Sequence, residues 1–222
     1  APQTVVLSPF TVNTDRDNGF TAVNAGTATR LALEMRDVPA AYQVMTRDFI
    51  DALGITNVQE ATQWATNGGS IPDGNGQDVF NITFLANMRG VALSGGQQRN
   101  NYLSSGTLDS YSLERYDFSR GPNAALFSIG GNTALGGGMG GQTKRARYDR
   151  AAESLAFTYG SWDYKRTTID LNRPLTDRLA VRANAVIFDR GGWRIGEFEK
   201  TKGITVAAAY MITPKTELRV EG

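Results

Sequence analysis

The chain has neither cysteine nor histidine in its 222 residues. Their absence removes Ser-His-Asp and Cys-His nucleophile systems, zinc sites built on nitrogen or sulfur, and disulfide staples. Only a carboxylate-dependent enzyme would remain open, and no paired acids fall on adjoining predicted strands. Charge of one sign is also missing: 23 Lys and Arg against 22 Asp and Glu leave a net charge of +1. Without a basic excess or stripe, nucleic acid is not an expected partner. No apolar run reaches the roughly 18 residues of a membrane-spanning helix. Barrel strands carry a much weaker alternating signal, and that possibility stays open. An initiator Met is missing as well, so Ala1-Pro2-Gln3 could follow removal of a signal peptide or a simple trimming. The chain ends at Val220-Glu221-Gly222 inside a strand-like pattern, which suggests the amino-terminal part of a longer protein.

Residues 1–30 are small and polar, apart from the β-branched patch Thr4-Val5-Val6-Leu7-Ser8. By itself this patch reads as an isolated edge strand in a mobile arm, or as nothing ordered. From Leu31 the texture becomes compact and mixed. Pro39 blocks a helix over Asp37–Met45, which reads as extended. Thr46 is a good N-cap for a helix over Arg47–Leu53, with Gly54 where a C-terminal glycine is wanted. Asn57 followed by Glu60 opens a second helix through Ala65. Phe80 to Val91 is strand-like. The Gly/Asn/Asp-rich stretch 70–77 and the stretch 94–101 read as polar loops.

The most specific block runs from Glu114 and Asp117 through Arg120-Gly121-Pro122 and Leu126-Phe127 to Gly136-Gly137. Its order and spacing resemble the closing segment of the plug domain of TonB-dependent outer-membrane receptors. Met88-Arg89-Gly90 and Thr143-Lys144 also resemble plug positions. The family's usual apolar strand before Thr-Lys is replaced here by Gly138-Met-Gly-Gly-Gln142. The same glycines contain a literal G-x-G-x-x-G, but no helical stripe follows and the match is an accident of glycine density.

After Arg145 the pattern switches to period-2 alternation. Leu155, Phe157 and Tyr159 form one face; Leu179, Val181, Ala183, Ala185 and Ile187 another; Ile204, Val206, Ala208, Tyr210 and Ile212 a third. The reading places a tight turn at Pro174–Asp177, a longer loop over 189–202, and a tight turn near Pro214. Alternating short and long connections match a transmembrane barrel, and about five strands cannot close one of roughly 22.

The fold class expected is therefore an α+β plug domain followed by antiparallel strands of an incomplete transmembrane β-barrel. The divisions are a flexible arm over 1–30, a plug over 31–147 and the first barrel strands over 148–222. The resemblance implies a receptor in the outer membrane of a Gram-negative bacterium for energy-coupled uptake of a scarce solute, such as an iron-siderophore or a glycan. It is a transporter rather than an enzyme, with no cofactor of its own. Thr4, Val5, Val6, Leu7 and Ser8 then stand as the TonB box, which adds as a strand to the periplasmic domain of TonB. Arg89, Asp117 and Arg120 are the implied plug–barrel contacts. Gln97, Gln98, Arg99, Asn100, Asn101 and Tyr102 are candidates for binding an extracellular small molecule or glycan. Outer-membrane lipid is the remaining partner. The alternative is a soluble α/β plus β-meander binding or adhesion module, which would bury the alternating face of residues 153–222 against helices of its own. On the barrel reading that face is an apolar band edged by Tyr159, Trp162 and Tyr210.

Overall fold

The computed structural model describes residues 17, 19–24, 34–37, 41–70, 86–92, 97–104, 108–121, 136–192, 195–214 and 216–222. The chain divides into two compact units, residues 1–143 and 144–222. The box candidate Thr4–Ser8 and residues 80–85 of the strand expected over 80–91 lie outside the described residues.

Unit 1 begins with a 3-10 turn, Met35–Asp37, and strand β1, Ala41–Met45. Helix α1 spans Arg47–Leu53. Thr46 caps it by accepting from the Phe49 N–H, and Gly54 closes it in the left-handed conformation at φ 65°. Helix α2 spans Val58–Gln63, with the Asn57 side chain accepting from the Glu60 N–H at 2.9 Å. The return bond of a capping box would go to Asn57. Here Glu60 instead accepts from the N–H and hydroxyl of Thr56, at 2.7 and 2.9 Å. Short strands follow: β2 Gly68–Ser70, β3 Ala86–Met88, β4 Val91–Ala92, β5 Gln97–Arg99 and β6 Tyr102–Leu103. The long plug strands are β7, Leu113–Arg120, and β8, Gly137–Thr143.

The main sheet has the order β1-β7-β8-β5-β6, and β2, β3 and β4 form a separate small sheet. All pairings in the main sheet are antiparallel except β5 with β8. Met45, Ile50, Val58, Ala61, Tyr116 and Phe118 belong to one buried core cluster beneath the two helices. Two sequence expectations are revised here. Gln97–Arg99 is a strand rather than loop, because its backbone pairs with Met139, Gly140 and Gly141 of β8. The glycine-rich segment that replaces the family's usual apolar strand is itself a strand, β8, between β7 and β5. Its glycines permit close approach: a Cβ on Gly141 would lie 2.7 Å from Leu113 Cδ1. At Gly137, with φ 145°, a Cβ would lie 2.2 Å from the Ser119 carbonyl oxygen.

Unit 2 is an antiparallel meander, β13-β12-β11-β10-β9 in spatial order. The strands are β9 Ala152–Gly160, β10 Tyr164–Thr176, β11 Leu179–Gly191, β12 Phe198–Thr213 and β13 Thr216–Glu221. The turn expected at 174–177 contracts to Asp177–Arg178. Pro174 pairs with Ala180 and lies beyond the end of β9, which pairs only as far as Asn172, so its missing N–H breaks no bond on that side. The loop expected over 189–202 is likewise mostly strand. The ladder continues through Gly191 and Phe198, with ion pairs Asp189–Lys200 (3.1 Å) and Arg190–Glu199 (2.8 Å) on successive rungs. Opposite charges facing across a ladder favour pairing, which a hydropathy pattern alone does not register.

Candidate functional site

Strand β7 is buried on both faces, and its two faces differ in kind. Tyr116 and Phe118 enter the apolar core, and the Tyr116 hydroxyl donates to the Leu108 carbonyl at 2.8 Å. Arg115, Asp117 and Ser119 occupy the alternate positions and are also buried. Arg115 is 0% exposed. Its guanidinium donates to Asn24 Oδ1 at 2.8 Å and to the Asn24 carbonyl at 3.3 Å. Asp17 Oδ2 stands 3.5 Å from Arg115 Nη1, and Asp117 Oδ1 3.6 Å from Arg115 Nε. A buried guanidinium is tolerated only with such partners. Burial raises the Asp17 carboxyl above its ordinary value and outweighs the attraction of Arg115. Arg115 lies inside the motif quoted above but was not singled out by sequence reasoning. The usable signal was a charged residue alternating with Tyr116 and Phe118 in a strand flanked by partners on both sides.

The other plug residues separate in the structure. Asp117 is central in the sheet, opposite Val44 and Gly140. Arg120 is half-buried at the end of β7, opposite Ala41 and Gly137. Arg89 is exposed in a tight turn at φ 55°. Its guanidinium lies against Gly121: a Cβ there would be 3.2 Å from Arg89 Nη1. Arg89 thus reaches Gly121, the residue after Arg120, whereas Asp117 stands beside Arg115.

Gln97 and Gln98 are buried in β5. Arg99, Asn100, Asn101 and Tyr102 form a hairpin turn, with Arg99 opposite Tyr102. Asn100 and Asn101 take φ 51° and 70°, the mirror-image turn that suits a two-residue hairpin. Asn100 is tied to Thr143 by two side-chain bonds, at 2.7 and 3.0 Å. The turn is therefore braced against β8, and Tyr102 and Leu103 project into solvent.

In unit 2 the alternation separates two chemically distinct faces. Phe157, Ile169, Leu171, Ile187, Ile204 and Val206 share one face and are exposed. The opposite face carries Arg166, Asp170, Asn172, Arg182 and Asn184. Arg182 forks onto Asp170 at 2.7 and 2.8 Å, and Lys144 reaches the same carboxylate at 2.7 Å. Residues 144–150 are bound to this polar face by backbone contacts. Asn172 accepts from the Arg147 N–H and donates to the carbonyls of Arg147 and Arg150, while Arg182 donates to the Arg145 carbonyl. Burial, with Glu217 beside it, pushes the Tyr148 phenol up to about 12. Among the described residues no group of three or more carboxylates stands close enough to hold a metal ion, and no helix is long and apolar enough to cross a membrane.

The part of unit 1 that carries both helices and strand β7 matches a known family model. Residues 34–137 match the TonB-dependent Receptor Plug Domain. This match places residues 34–137 with the plug domains of TonB-dependent receptors. The chain is 29% identical over 208 residues to the metal-pseudopaline receptor CntO of Pseudomonas aeruginosa, covering 91% of this chain and 28% of that protein. Against the ferric-pyoverdine BN7/BN8 receptor of Pseudomonas putida, identity is 27% over 173 residues, covering 75% of this chain and 20% of that protein. The chain thus spans under a third of the length of these curated relatives, which are receptors rather than enzymes. Among solved structures, the ferripyoverdine receptor of the outer membrane of Pseudomonas aeruginosa bound to ferripyoverdine superposes with a TM-score of 0.79 at 21% identity. That match covers 94% of this chain and 28% of the receptor. FpvA of P. aeruginosa, bound to a heterologous pyoverdine, gives a TM-score of 0.82 at 21% identity, over 98% of this chain and 29% of that one. At these identities the structures speak to fold, and the fold is a receptor plug followed by antiparallel barrel strands.

Proposed function

We propose that the chain supplies the coupling arm, plug and first barrel strands of an outer-membrane receptor that imports a metal chelate of the siderophore class. The observation that carries this reading is its similarity, over 91% of its length, to a receptor named for a metal chelate, with a second relative named for ferric pyoverdine. These relatives favour a chelate over a glycan as cargo. The metal would be substrate rather than a resident cofactor.

Chelate bound at the outer side of the plug would make the arm available to the periplasmic domain of TonB, with Thr4–Ser8 adding as a strand through backbone bonds. Force through the arm would then displace or partly unfold the plug. Tyr102, with Arg99, Asn100 and Asn101, offers one aromatic face and several donors at a braced turn, which suits a polar chelate. Gln97 and Gln98 would support this turn from within the sheet. Arg89 and Arg120 would pair with carboxylates of barrel strands beyond residue 222, while Asp117 balances charge inside the plug.

The test is calorimetric titration of the full-length receptor with ferripyoverdine, metal-pseudopaline and an oligosaccharide, followed by uptake assays on Val6→Pro. Chelate binding with uptake lost in Val6→Pro is expected. Binding of the oligosaccharide alone would overturn the cargo, and uptake unaffected by Val6→Pro would move the box elsewhere.

A further inference from the structure

Asp17 and residues 19–24 are clasped at three points, two from α1 and its cap and one from β7. The Thr46 hydroxyl, already the cap of α1, donates to the Gly19 carbonyl at 2.8 Å. Phe20 stacks edge-on against Phe49 of α1, with ring centroids 5.5 Å apart and planes at 84°, and Phe49 in turn meets Trp64 at 6.4 Å. Asn24 is held by Arg115 of β7 through both its side chain and its carbonyl. The segment is also folded on itself: the Val23 N–H donates to Asp17 Oδ1 at 3.2 Å, and Met35 N–H to the Val23 carbonyl at 3.1 Å. This short strap lies between the box candidate and the plug sheet, so tension on residues 4–8 reaches it before any other described element.

We propose that Asp17 and residues 19–24 are a releasable strap whose Arg115–Asn24 latch couples the arm to β7 of the plug sheet. With the strap seated, the Arg115 guanidinium is enclosed and its charge is met by Asn24, Asp17 and Asp117. With the strap withdrawn, the cation keeps Asp117 but loses the two Asn24 acceptors and the Asp17 carboxylate. A buried charge short of partners is strongly unfavourable. Since β7 pairs with both β1 and β8, the cost falls on a strand bonded on both sides. Loss of the strap therefore weakens the strand that joins β1 to the rest of the sheet, and plug opening follows arm removal rather than preceding it. The aromatic clip at Phe20 adds a second, exposed contact that gives way without leaving a charge uncovered. The strap rests on the coupling reading above for its purpose, but its existence as a latch does not.

The experiment uses the full-length receptor in detergent, by hydrogen–deuterium exchange. Asn24→Ala removes the side-chain acceptor at 2.8 Å without touching β7. Exchange over residues 19–24 is expected to rise about 10- to 100-fold, the equivalent of one hydrogen bond to a charged group. Exchange in β10–β12 and affinity for ferripyoverdine are expected to stay unchanged. No increase, or an increase spread evenly through the plug, would overturn the latch. A second arm uses Phe20→Cys with Phe49→Cys, joined by a reducible thiol linker. Uptake should stop while the strap is linked and return on reduction, and uptake indifferent to the link would overturn its release during transport. If Val6→Pro transports normally while the exchange result holds, the box lies elsewhere and the latch stands.

Discussion

Asp17 sits where burial and a neighbouring cation oppose each other. Burial raises its pKa, the Arg115 guanidinium and Val23 N–H lower it, Glu114 raises it slightly, and the balance lies above the ordinary carboxylate value of 3.8. A raised folded-state pKa means that the seated strap binds the proton more strongly than the released one. Its contribution is fully present below the ordinary value and is lost as pH rises through the raised one. Exchange over residues 19–24, corrected for its intrinsic pH dependence, should therefore slow on acidification in the native protein. Asp17→Asn, which keeps an acceptor for Val23 but cannot titrate, should abolish that slope; equal slopes in the two proteins would refute the linkage. Individual residues were unevenly legible from sequence. Thr46, Gly54 and Asn57 were readable as caps because a cap acts within three or four residues. Arg115 was not, because the residue it holds, Asn24, is 91 positions away.

Strand β8 shows what the alternation rule omits at the level of an element. Gly137–Thr143 has almost no apolar side chain to contribute, yet it pairs with β7 on one side and β5 on the other. Its glycines let Leu113 and Ser119 approach the backbone directly. Gly141→Ala should destabilise the plug by about 1–3 kcal/mol through overpacking, and Leu113→Ala in the same protein should recover part of that loss. Thermal unfolding of the full-length receptor and both variants measures the coupling; purely additive losses would show that the contact is not the cause. Segment 144–150 offers a comparable case in unit 2. Asn172→Ala removes three bonds to its backbone, a loss of about 2–4 kcal/mol at roughly 1 kcal/mol each. Limited proteolysis should then cut within 144–150, where the native protein resists.

At the scale of the whole molecule, the decisive contrast is between the two faces of the meander. Ile187, Ile204 and Val206 are exposed on a face with no helix of unit 2 against it, whereas a soluble module would cover it. On the proposed receptor reading this face is the one that would meet lipid. Val206→Arg near the middle of the band should cost about 2–4 kcal/mol of barrel stability. Asn184→Gln on the polar face should cost far less. Heat-dependent mobility of the full-length receptor on unboiled gels separates them, and equal effects from both variants would argue against a lipid-facing band.

The plug motif, the helix caps and the two-residue alternation were all determined by the sequence alone, because each depends on neighbours within one element. Tertiary structure alone decided the parallel seat of Gln97–Arg99 beside β8, the strand extensions at 174–176, 189–191 and 198–202, and the partners of Arg115. Those outcomes rest on backbone ladders and buried charges that join residues far apart in the chain, where the favourable contact exists only once both ends have been brought together.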